Sequence, residues 1–318
     1  MLQWRKTGKL FDPTCYELPA GCHEYAQAPQ VLAGDTFVRV YFSTRSRDGE
    51  NSWLSHICYI DCDPELKNVL AVADHEVLPL GGLGDFDEHG IFPMNMLRVG
   101  GKVYGYTGGI HRMRSVPIDG AIGLAVSDND GKTFTRYGAG PVLGPTLHEP
   151  FLIADPFTAI IDDTFHMWYI FGVRWVRHPS TQRPERVYKI GHATSNDGIR
   201  WKKEGRRIIT DTIDEHECQA MPTVFRYGGA FHMLFCFRSA FDFKEGGSGS
   251  YRLGYARSPD GHEWLRDDDA SGIGLSTDGW DSEMMCYPHV TVIGGRVYLL
   301  YNGNEFGRHG FGIAVLEH

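Results

Sequence analysis

Acidic side chains precede five prolines that occur in similar settings along this 318-residue chain. The prolines are Pro29, Pro93, Pro156, Pro222 and Pro288, and a short segment carrying at least one carboxylate comes before each of them. Carboxylates that face one another repel, which raises the pKa of one while another stays ionised, so one residue type can supply both an acid and a base. The pattern therefore predicts acid–base chemistry where the five segments meet.

Three of these carboxylates are the predicted catalytic residues, namely Asp155, Glu217 and Asp87. Asp155 directly precedes its proline in the apolar sequence Ile-Ala-Asp-Pro-Phe, where a charge is costly unless it faces a polar channel. Glu217 lies five residues before Pro222 and is followed by a cysteine. For Asp87 the alternative interpretation is an ordinary acidic residue of a polar loop.

Polar and aromatic side chains close to the same segments are candidates for substrate binding. Arg45, Arg238 and Asn304 each follow their proline by sixteen residues, so they are expected at one level of the structure. Such donors bind hydroxyls, carboxylates or phosphates, and structural salt bridges are the alternative. The complete set of predicted substrate-binding residues is Glu24, Gln27, Arg45, His89, Arg174, Trp175, Arg238, Tyr287, His289 and Asn304.

The elements that position these residues follow from the spacing of the prolines, which is 64, 63, 66 and 66 residues. Each proline opens a short apolar run, a turn of Gly, Asp or Asn type and an aromatic-rich run, which together predict a β-hairpin. A third strand follows. In three repeats it continues into Ser-x-Asp-Gly-x-x-aromatic, ending at Phe134, Trp201 and Trp264, where the aromatic residue begins a fourth strand and packs between repeats.

The fifth repeat breaks off after Phe311-Gly-Ile-Ala-Val-Leu316, before a fourth strand. The missing strand is predicted at the other end of the chain, because the segment from Trp4 to Phe11 resembles the one that begins at Trp201. The prediction is an all-β, five-bladed β-propeller in one domain, residues 1–318, closed by its N-terminal strand. A period near 65 is too long for a β-solenoid, and a β-sandwich does not predict a displaced strand.

Composition excludes several classes of function. The formal net charge is −9 and no run of lysine or arginine occurs, so nucleic acid is not an expected partner. The N-terminus has no apolar segment of the signal-peptide type and no stretch of about 18 apolar residues occurs, so no membrane span is predicted and the cytoplasm is the expected location. Seven cysteines without CxxC spacing are expected to be thiols, and neither a metal nor a cofactor is predicted.

The Ser-x-Asp-Gly-x-x-Trp turns, His-Met-Trp-Tyr at 166–169 and Tyr-Asn-Gly-Asn at 301–304 resemble the five-bladed β-propeller glycosidases, which include glycoside hydrolase families 43, 32, 68 and 130. The resemblance extends over essentially the whole chain. It implies that Asp155 stabilises the transition state or tunes a pKa, and that Glu217 is the general acid. The first-blade aspartate of those families is absent, because Gln27-Ala28-Pro29 stands in its place.

The resemblance implies an enzyme that acts on a glycosidic bond in a central pocket rich in acidic residues and arginines, with a carbohydrate or sugar phosphate as ligand. Glu24 or Asp87 is available to replace the missing base. A glycoside phosphorylase or a transferase of surface-polysaccharide metabolism is the alternative, in which Arg45, Arg238 and His289 hold phosphate. The further alternatives are a sugar-binding propeller without catalysis and a protein-interaction scaffold.

Overall fold

The structure is a computed structural model that describes residues 1–244 and 247–317. The chain begins with strand β1 (Trp4–Phe11). Blade 1 consists of β2 (Glu24–Ala33), β3 (Val38–Arg47), β4 (Trp53–Cys62) and β5 (Val69–Val72). Blade 2 consists of β6 (Gly90–Val99), β7 (Lys102–Arg112), β8 (Ile118–Ser127) and β9 (Thr135–Arg136).

Blade 3 consists of β10 (Phe151–Ile161), β11 (Thr164–Arg177), β12 (Pro184–Ser195) and β13 (Lys202–Lys203). Blade 4 consists of β14 (Glu217–Tyr227), β15 (Ala230–Ser239), β16 (Arg252–Ser258) and β17 (Leu265–Arg266). Blade 5 consists of β18 (Cys286–Ile293), β19 (Arg296–Asn302) and β20 (Phe311–Leu316) together with β1. Helical turns lie at Pro13–Cys15, Pro19–Gly21, Gly247–Gly249, Asp268–Ser271 and Asn304–Gly307.

The predicted closure is confirmed, because β1 pairs antiparallel with β20 from Trp4 opposite Leu316 to Phe11 opposite Phe311. The first strand of the chain thereby becomes the outer strand of the last blade. Blades 1 and 2 also share one parallel pairing, Ser55 with Gly90. A Cβ atom on Gly90 would lie 3.0 Å from the Ser55 Cβ, so this junction requires glycine. The fold is therefore the expected five-bladed β-propeller.

The turns of the inner hairpins explain why the sequence folds this way. Residues with positive φ occupy both central turn positions in blades 2 to 5, as the right-handed twist of a two-residue hairpin requires. The pairs are Gly100-Gly101, Asp162-Asp163, Gly228-Gly229 and Gly294-Gly295. Each therefore fixes the register of the first two strands of its blade.

The Ser-x-Asp-Gly turns attach one blade to the next, as the sequence predicts. In blade 3 the Ser195 Oγ accepts the Gly198 N–H at 2.9 Å, and the Gly198 carbonyl accepts the Tyr106 hydroxyl of blade 2 at 2.9 Å. Trp201, just after this turn, packs edge-on against Tyr106 with ring centroids 5.7 Å apart. The aromatic residue of this repeat is thus a contact between blades.

Within the described ranges, no helix is long and apolar enough to cross a membrane.

A β-bulge marks each of the five prolines, because the strand register shifts there in every blade. Four of the residues that precede these prolines adopt the left-handed conformation, which costs free energy for any residue with a Cβ atom. They are Ala28 (φ 54°), Asp155 (φ 52°), Met221 (φ 52°) and Tyr287 (φ 54°). The bulges bring Asp155 and Tyr287, together with Phe92 of blade 2, to the central cavity.

Hydrogen bonds near the axis join all five inner strands into a ring. At four of the five junctions a side chain of one blade accepts a backbone N–H of the next, which satisfies groups that are buried from water. The acceptors are Asn95 for Thr158 (2.9 Å), Asp155 for Met221 (3.2 Å), Thr223 for Val290 (2.9 Å) and His289 for Val31 (3.1 Å). Between blades 1 and 2 the Asn95 amide donates to Gln30 Oε1 at 2.8 Å.

Candidate active site

A cavity opens on the axis at the face of the ring where the inner strands begin. Its outer part has a volume of about 600 Å³ and its inner part about 190 Å³. The two parts share Arg45, Arg186, Tyr251 and Tyr287, so they form one continuous site. Side chains from all five blades line this site. A volume of this size suits a small ligand such as one or two sugar rings.

Eight aromatic side chains contribute to the wall. Tyr251 lies 5.6 Å from Tyr287 and 6.1 Å from Phe306 between ring centroids, while Phe92 contacts Tyr287 at 5.3 Å. The hydroxyls of Tyr188 and Tyr251 are hydrogen-bonded at 2.8 Å. Rigid aromatic faces with hydroxyl groups can stack on a sugar ring and bond its hydroxyls.

Four arginines line this wall, and none of them forms a salt bridge within the described residues; the fourth, Arg183, belongs to the outer part of the cavity. Among residues 1–244 and 247–317, no carboxylate oxygen lies within 4.0 Å of a guanidinium nitrogen of Arg45, Arg186 or Arg238. Arg238 is 2% exposed, and its Nε is buried without a hydrogen-bond partner in the described part of the chain. The Arg45 Nε is also buried without a hydrogen-bond partner in the described part of the chain. Burial lowers the pKa of Arg45.

Stacking on aromatic rings positions two of these cations. The Arg238 guanidinium carbon lies 3.5 Å from the centre of the Phe243 ring, and that of Arg45 lies 4.6 Å from the Tyr25 ring. Burying a guanidinium without a counterion is expensive, and an anionic ligand offsets that cost. The lining carries five cationic side chains and two carboxylates, so the formal charge of the site is positive.

Asp155 is the carboxylate that the structure brings to the inner part of the cavity. It is 5% exposed, and its Oδ2 accepts the Met221 backbone N–H at 3.2 Å. Burial raises the pKa of Asp155 to about 7, which the hydrogen bond and the charge of Arg186 only partly oppose. A carboxyl group with this pKa carries a proton during part of the time at neutral pH, so it is suited to general acid catalysis.

Glu217, which the sequence predicts as the general acid, does not line the cavity. The residue is fully buried, and its Oε1 accepts the Arg266 Nη1 at 2.5 Å. Burial favours the neutral carboxyl, but hydrogen bonds from Gln219 and the Thr212 N–H and the charge of Arg266 outweigh it and lower the pKa of Glu217. Glu217 is thus an ionised structural residue.

The Glu217–Arg266 pair is one of four similar ion pairs, which we call the blade clasps. In each, a carboxylate just before the inner strand or at its first residue binds a cation of the outer strand of its own blade. The clasps thus contain one of the acidic residues before the proline in each of blades 2 to 5. The clasps are Asp87–Arg136, Glu149–Lys203, Glu217–Arg266 and Asp281–Lys6. Asp87, which the sequence also predicts as catalytic, is 1% exposed and does not line the cavity.

Of the predicted substrate-binding residues, Gln27, Arg45, Arg238 and Tyr287 line the cavity. The others do not. Glu24 pairs with Arg308 at 2.9 Å and Arg174 with Glu215 at 3.0 Å. His89 accepts the Arg112 N–H at 3.3 Å, and Asn304 accepts the Glu283 N–H at 2.9 Å. Trp175 lies opposite Arg186 in the β11–β12 pairing, outside the wall of the cavity.

His289, which the sequence predicts to bind substrate, lies within the ring of hydrogen bonds and does not line the cavity. Its Nε2 accepts the Val31 N–H, and burial lowers the pKa of His289 to about 3, so the imidazole is neutral. The accepting Nε2 places the proton on Nδ1.

Arg186, Tyr188 and Tyr251 are cavity residues that the sequence analysis missed. Arg186 and Tyr188 lie near the start of β12, the third strand of blade 3, and Tyr251 directly precedes β16, the third strand of blade 4. The sequence-based prediction considered only residues of the first and second strands and the segments before them. Since the third strand runs antiparallel to the second, its beginning lies beside the end of the second strand and at the same face. The strand order of the repeat was therefore enough to predict that the first residues of each third strand lie at this face.

Comparisons with known proteins agree with this fold. The chain is similar to a glycoside hydrolase structure (TM-score 0.74, 16% identity, covering 99% of this chain and 92% of that one). It is also similar to an exo-1,5-alpha-L-arabinanase from a bovine ruminal metagenomic library (TM-score 0.60, 13% identity, 95% and 100%). The GH43_1 enzyme from Xanthomonas citri complexed with xylose gives a TM-score of 0.61 at 16% identity, covering 98% and 90%. The fold is that of the five-bladed β-propeller glycoside hydrolases.

Two curated sequences are similar over their whole length. They are Uncharacterized protein MT1551 and Uncharacterized protein Rv1502 of Mycobacterium tuberculosis, strains CDC 1551 / Oshkosh and ATCC 25618 / H37Rv respectively. Each is 32% identical over 316 residues, which cover 99% of this chain and 100% of the relative. The chain belongs to the family of these mycobacterial proteins. No family model matches the chain.

Proposed function

We propose that this protein is a carbohydrate-active enzyme that cleaves a glycosidic bond with phosphate as the attacking group. The observation that carries the proposal is that arginines without carboxylate partners, Arg45, Arg186 and Arg238 among them, line the same continuous cavity as Asp155. Arginine recognises phosphate through paired, charge-assisted hydrogen bonds. The glycoside hydrolase fold and the complex of one neighbour with xylose support a sugar as the other ligand.

In the proposed reaction, protonated Asp155 donates its proton to the oxygen of the leaving sugar while the glycosidic C–O bond breaks. An oxygen of inorganic phosphate, held by Arg45, Arg186 and Arg238, forms the new bond to the anomeric carbon. The products are a sugar phosphate and a shortened sugar. This route needs a single carboxylic acid, whereas direct hydrolysis generally uses two carboxylates on opposite sides of the bond.

Hydrolysis is the second candidate, and one observation favours it. Glu185 lines the outer part of the cavity, where it is available as a base that activates water. The two candidates differ in their need for phosphate and in their response to Glu185→Gln. A sugar-binding protein without catalysis is the third possibility, consistent with the absence of an aspartate before Pro29.

The experiment is a turnover screen by ¹H and ³¹P NMR with oligosaccharides and aryl glycosides, with and without phosphate. We expect a new sugar-phosphate signal in phosphate only, a loss of turnover of about 10²–10⁴-fold in Asp155→Asn, and little change in the matched surface variant Arg174→Gln. Because the proton donor has a pKa of about 7, turnover should fall as the pH rises above 7.

Cleavage without phosphate that is lost in Glu185→Gln would replace phosphorolysis by hydrolysis. Binding of sugar without turnover at any pH would reduce the protein to a sugar-binding propeller. A direct titration with inorganic phosphate provides an independent test. Arg186→Gln should weaken binding, whereas Arg174→Gln should leave it unchanged.

A further inference from the structure

A histidine cluster lies at the seam between blades 3 and 4, separate from the central cavity. His192 comes from β12, Glu204 follows β13, and His262 lies in the turn between β16 and β17. His166 of β11 completes the group, with its ring centroid 5.2 Å from that of His192. None of these four residues lines the central cavity.

The donor atoms of three of these residues converge. His192 Nδ1 lies 2.7 Å from Glu204 Oε1, and His262 Nδ1 lies 3.6 Å from the same oxygen. One donor atom from each residue lies within 4.8 Å of the other two. His192 is 1% exposed, whereas the side chains of Glu204 and His262 are 24% and 49% exposed, so the cluster is anchored in the protein and open to solvent.

Neighbouring groups orient these donors. His192 Nε2 lies 3.0 Å from His166 Nδ1, which leaves the other ring nitrogen of His192 directed toward Glu204. The second carboxylate oxygen of Glu204 accepts the Arg206 Nε at 2.9 Å. Metal-binding histidines and carboxylates typically have such outer partners, which fix the orientation of the ligand atoms.

The repeat provides an internal comparison. Within Gly-x-Ala of the third strand, the position of His192 is occupied by Leu124 in blade 2 and by Ile313 in blade 5. After the Ser-x-Asp-Gly turn, the position of His262 is occupied by Ile199 in blade 3. The same two positions hold Tyr255 in blade 4 and Lys132 in blade 2, so the fold is compatible with both apolar and polar residues there. Burial of the His192 imidazole carries a desolvation cost, whereas the His262 side chain is 49% exposed.

We propose that His192, Glu204 and His262 form a binding site for a divalent transition metal ion of the Zn²⁺ type. Two imidazoles and one carboxylate match the nitrogen and oxygen ligands of zinc, and three protein ligands leave a fourth position for water. Since the ligands come from two blades, the ion links blade 3 to blade 4. The proposal is independent of the reaction in the central cavity.

The test is isothermal titration of EDTA-treated full-length protein with ZnCl₂, together with the visible spectrum of the Co²⁺ complex. We expect one ion per chain and a higher unfolding temperature with Zn²⁺. The variants His262→Asn and Glu204→Gln change exposed ligands and are expected to fold. Each should weaken Zn²⁺ binding by more than the roughly 10–100-fold cost of losing an outer partner.

His23→Asn is the matched control, because His23 is exposed and lies in blade 1. It should leave the affinity, the stoichiometry and the Co²⁺ spectrum unchanged. The proposal is overturned if the wild-type protein binds no Zn²⁺, or if binding survives in both His262→Asn and Glu204→Gln. Native circular dichroism of each variant before the titration ensures that loss of binding does not reflect unfolding.

Discussion

At the scale of single residues, the environment of Asp155 decides what its carboxyl group can do. The side chain occupies a strained left-handed position and a buried site, and both features cost stability. The protein retains them at the one place where an acid faces the cavity from an inner strand. Destabilising geometry of this kind is commonly found where a side chain has a function.

Replacing Asp155 by asparagine should stabilise the protein at alkaline pH. The folded carboxyl titrates near pH 7 and the unfolded one near 3.8, so the folded state loses stability as the pH rises from about 4 to about 7. Three pKa units correspond to at most about 4 kcal/mol. Urea unfolding should show that Asp155→Asn gains more relative to wild type at pH 8 than at pH 5.

The exposed residue Asp35 provides the control for this measurement, because Asp35→Asn should change stability little at either pH. An equal effect of Asp155→Asn at both pH values would show that the carboxyl group does not titrate differently in the folded and unfolded protein.

At the scale of strands, the blade clasps account for most acidic residues that the sequence made candidates for catalysis. Carboxylates before each proline are a regular feature of the repeat, and the sequence does not show that a cation of the outer strand pairs with them. Glu217 and Asp87 were predicted as catalytic for this reason, whereas the structure places both in clasps outside the cavity wall. Asp155 differs in sequence, because it directly precedes its proline, and only the bulge at that position directs it into the cavity.

Glu217→Gln should destabilise the protein by about 1–3 kcal/mol, because it removes one of the two carboxylates that pair with the Arg266 guanidinium and leaves Asp268 as the other. Chemical denaturation measures this loss, and the double variant Glu217→Gln, Arg266→Met should recover part of it. The exposed pair partner Glu215 offers a control, since Glu215→Gln should cost less than about 1 kcal/mol. A stable Glu217→Gln protein without turnover would instead restore the catalytic role.

The bulges at the prolines predict a second effect at this scale. Ala28 has φ 54°, a conformation that costs roughly 1–2 kcal/mol with a Cβ atom and little for glycine. Ala28→Gly should therefore leave the free energy of unfolding unchanged or raise it slightly. Ala26→Gly is the matched control, because it removes an equally buried methyl group without this relief, and should lower stability by about 1 kcal/mol. Equal losses in both variants would contradict the argument.

At the scale of the whole molecule, the sequence predicted the ring and its closure correctly because both depend on local signals. The regular spacing of the prolines, the two-residue turns and the displaced strand that begins at Trp4 can all be recognised in the amino-acid sequence. The wall of the cavity was predicted only in part. Arg186, Tyr188 and Tyr251 belong to third strands, and their proximity to Asp155 arises from the arrangement of five blades around one axis.

Closure makes the stability of blade 5 depend on a side chain of β1. Lys6 Nζ lies 2.6 Å from Asp281 Oδ2, and Asp281 is 2% exposed. Lys6→Met should lower the free energy of unfolding by about 1–3 kcal/mol, less than for a fully buried pair because Lys6 is partly exposed. Lys9→Met, which removes the partly exposed pair with Asp12, should have a much smaller effect. If Lys6→Met and Lys9→Met lowered the thermal unfolding temperature equally, the Lys6–Asp281 pair would not stabilise the closure of the ring.

The pairing of β1 with β20 also has a consequence for protein synthesis. On the ribosome, Trp4 emerges early, and its partner Leu316 is made roughly 300 residues later, which takes on the order of 15–60 s at typical rates of translation. During this time β1 has no partner strand, while the hairpins of blades 1 to 4 form one after another. Once made, β20 exposes an open edge until β1 reaches it, and this interval is when pairing with another chain competes with completion of the ring.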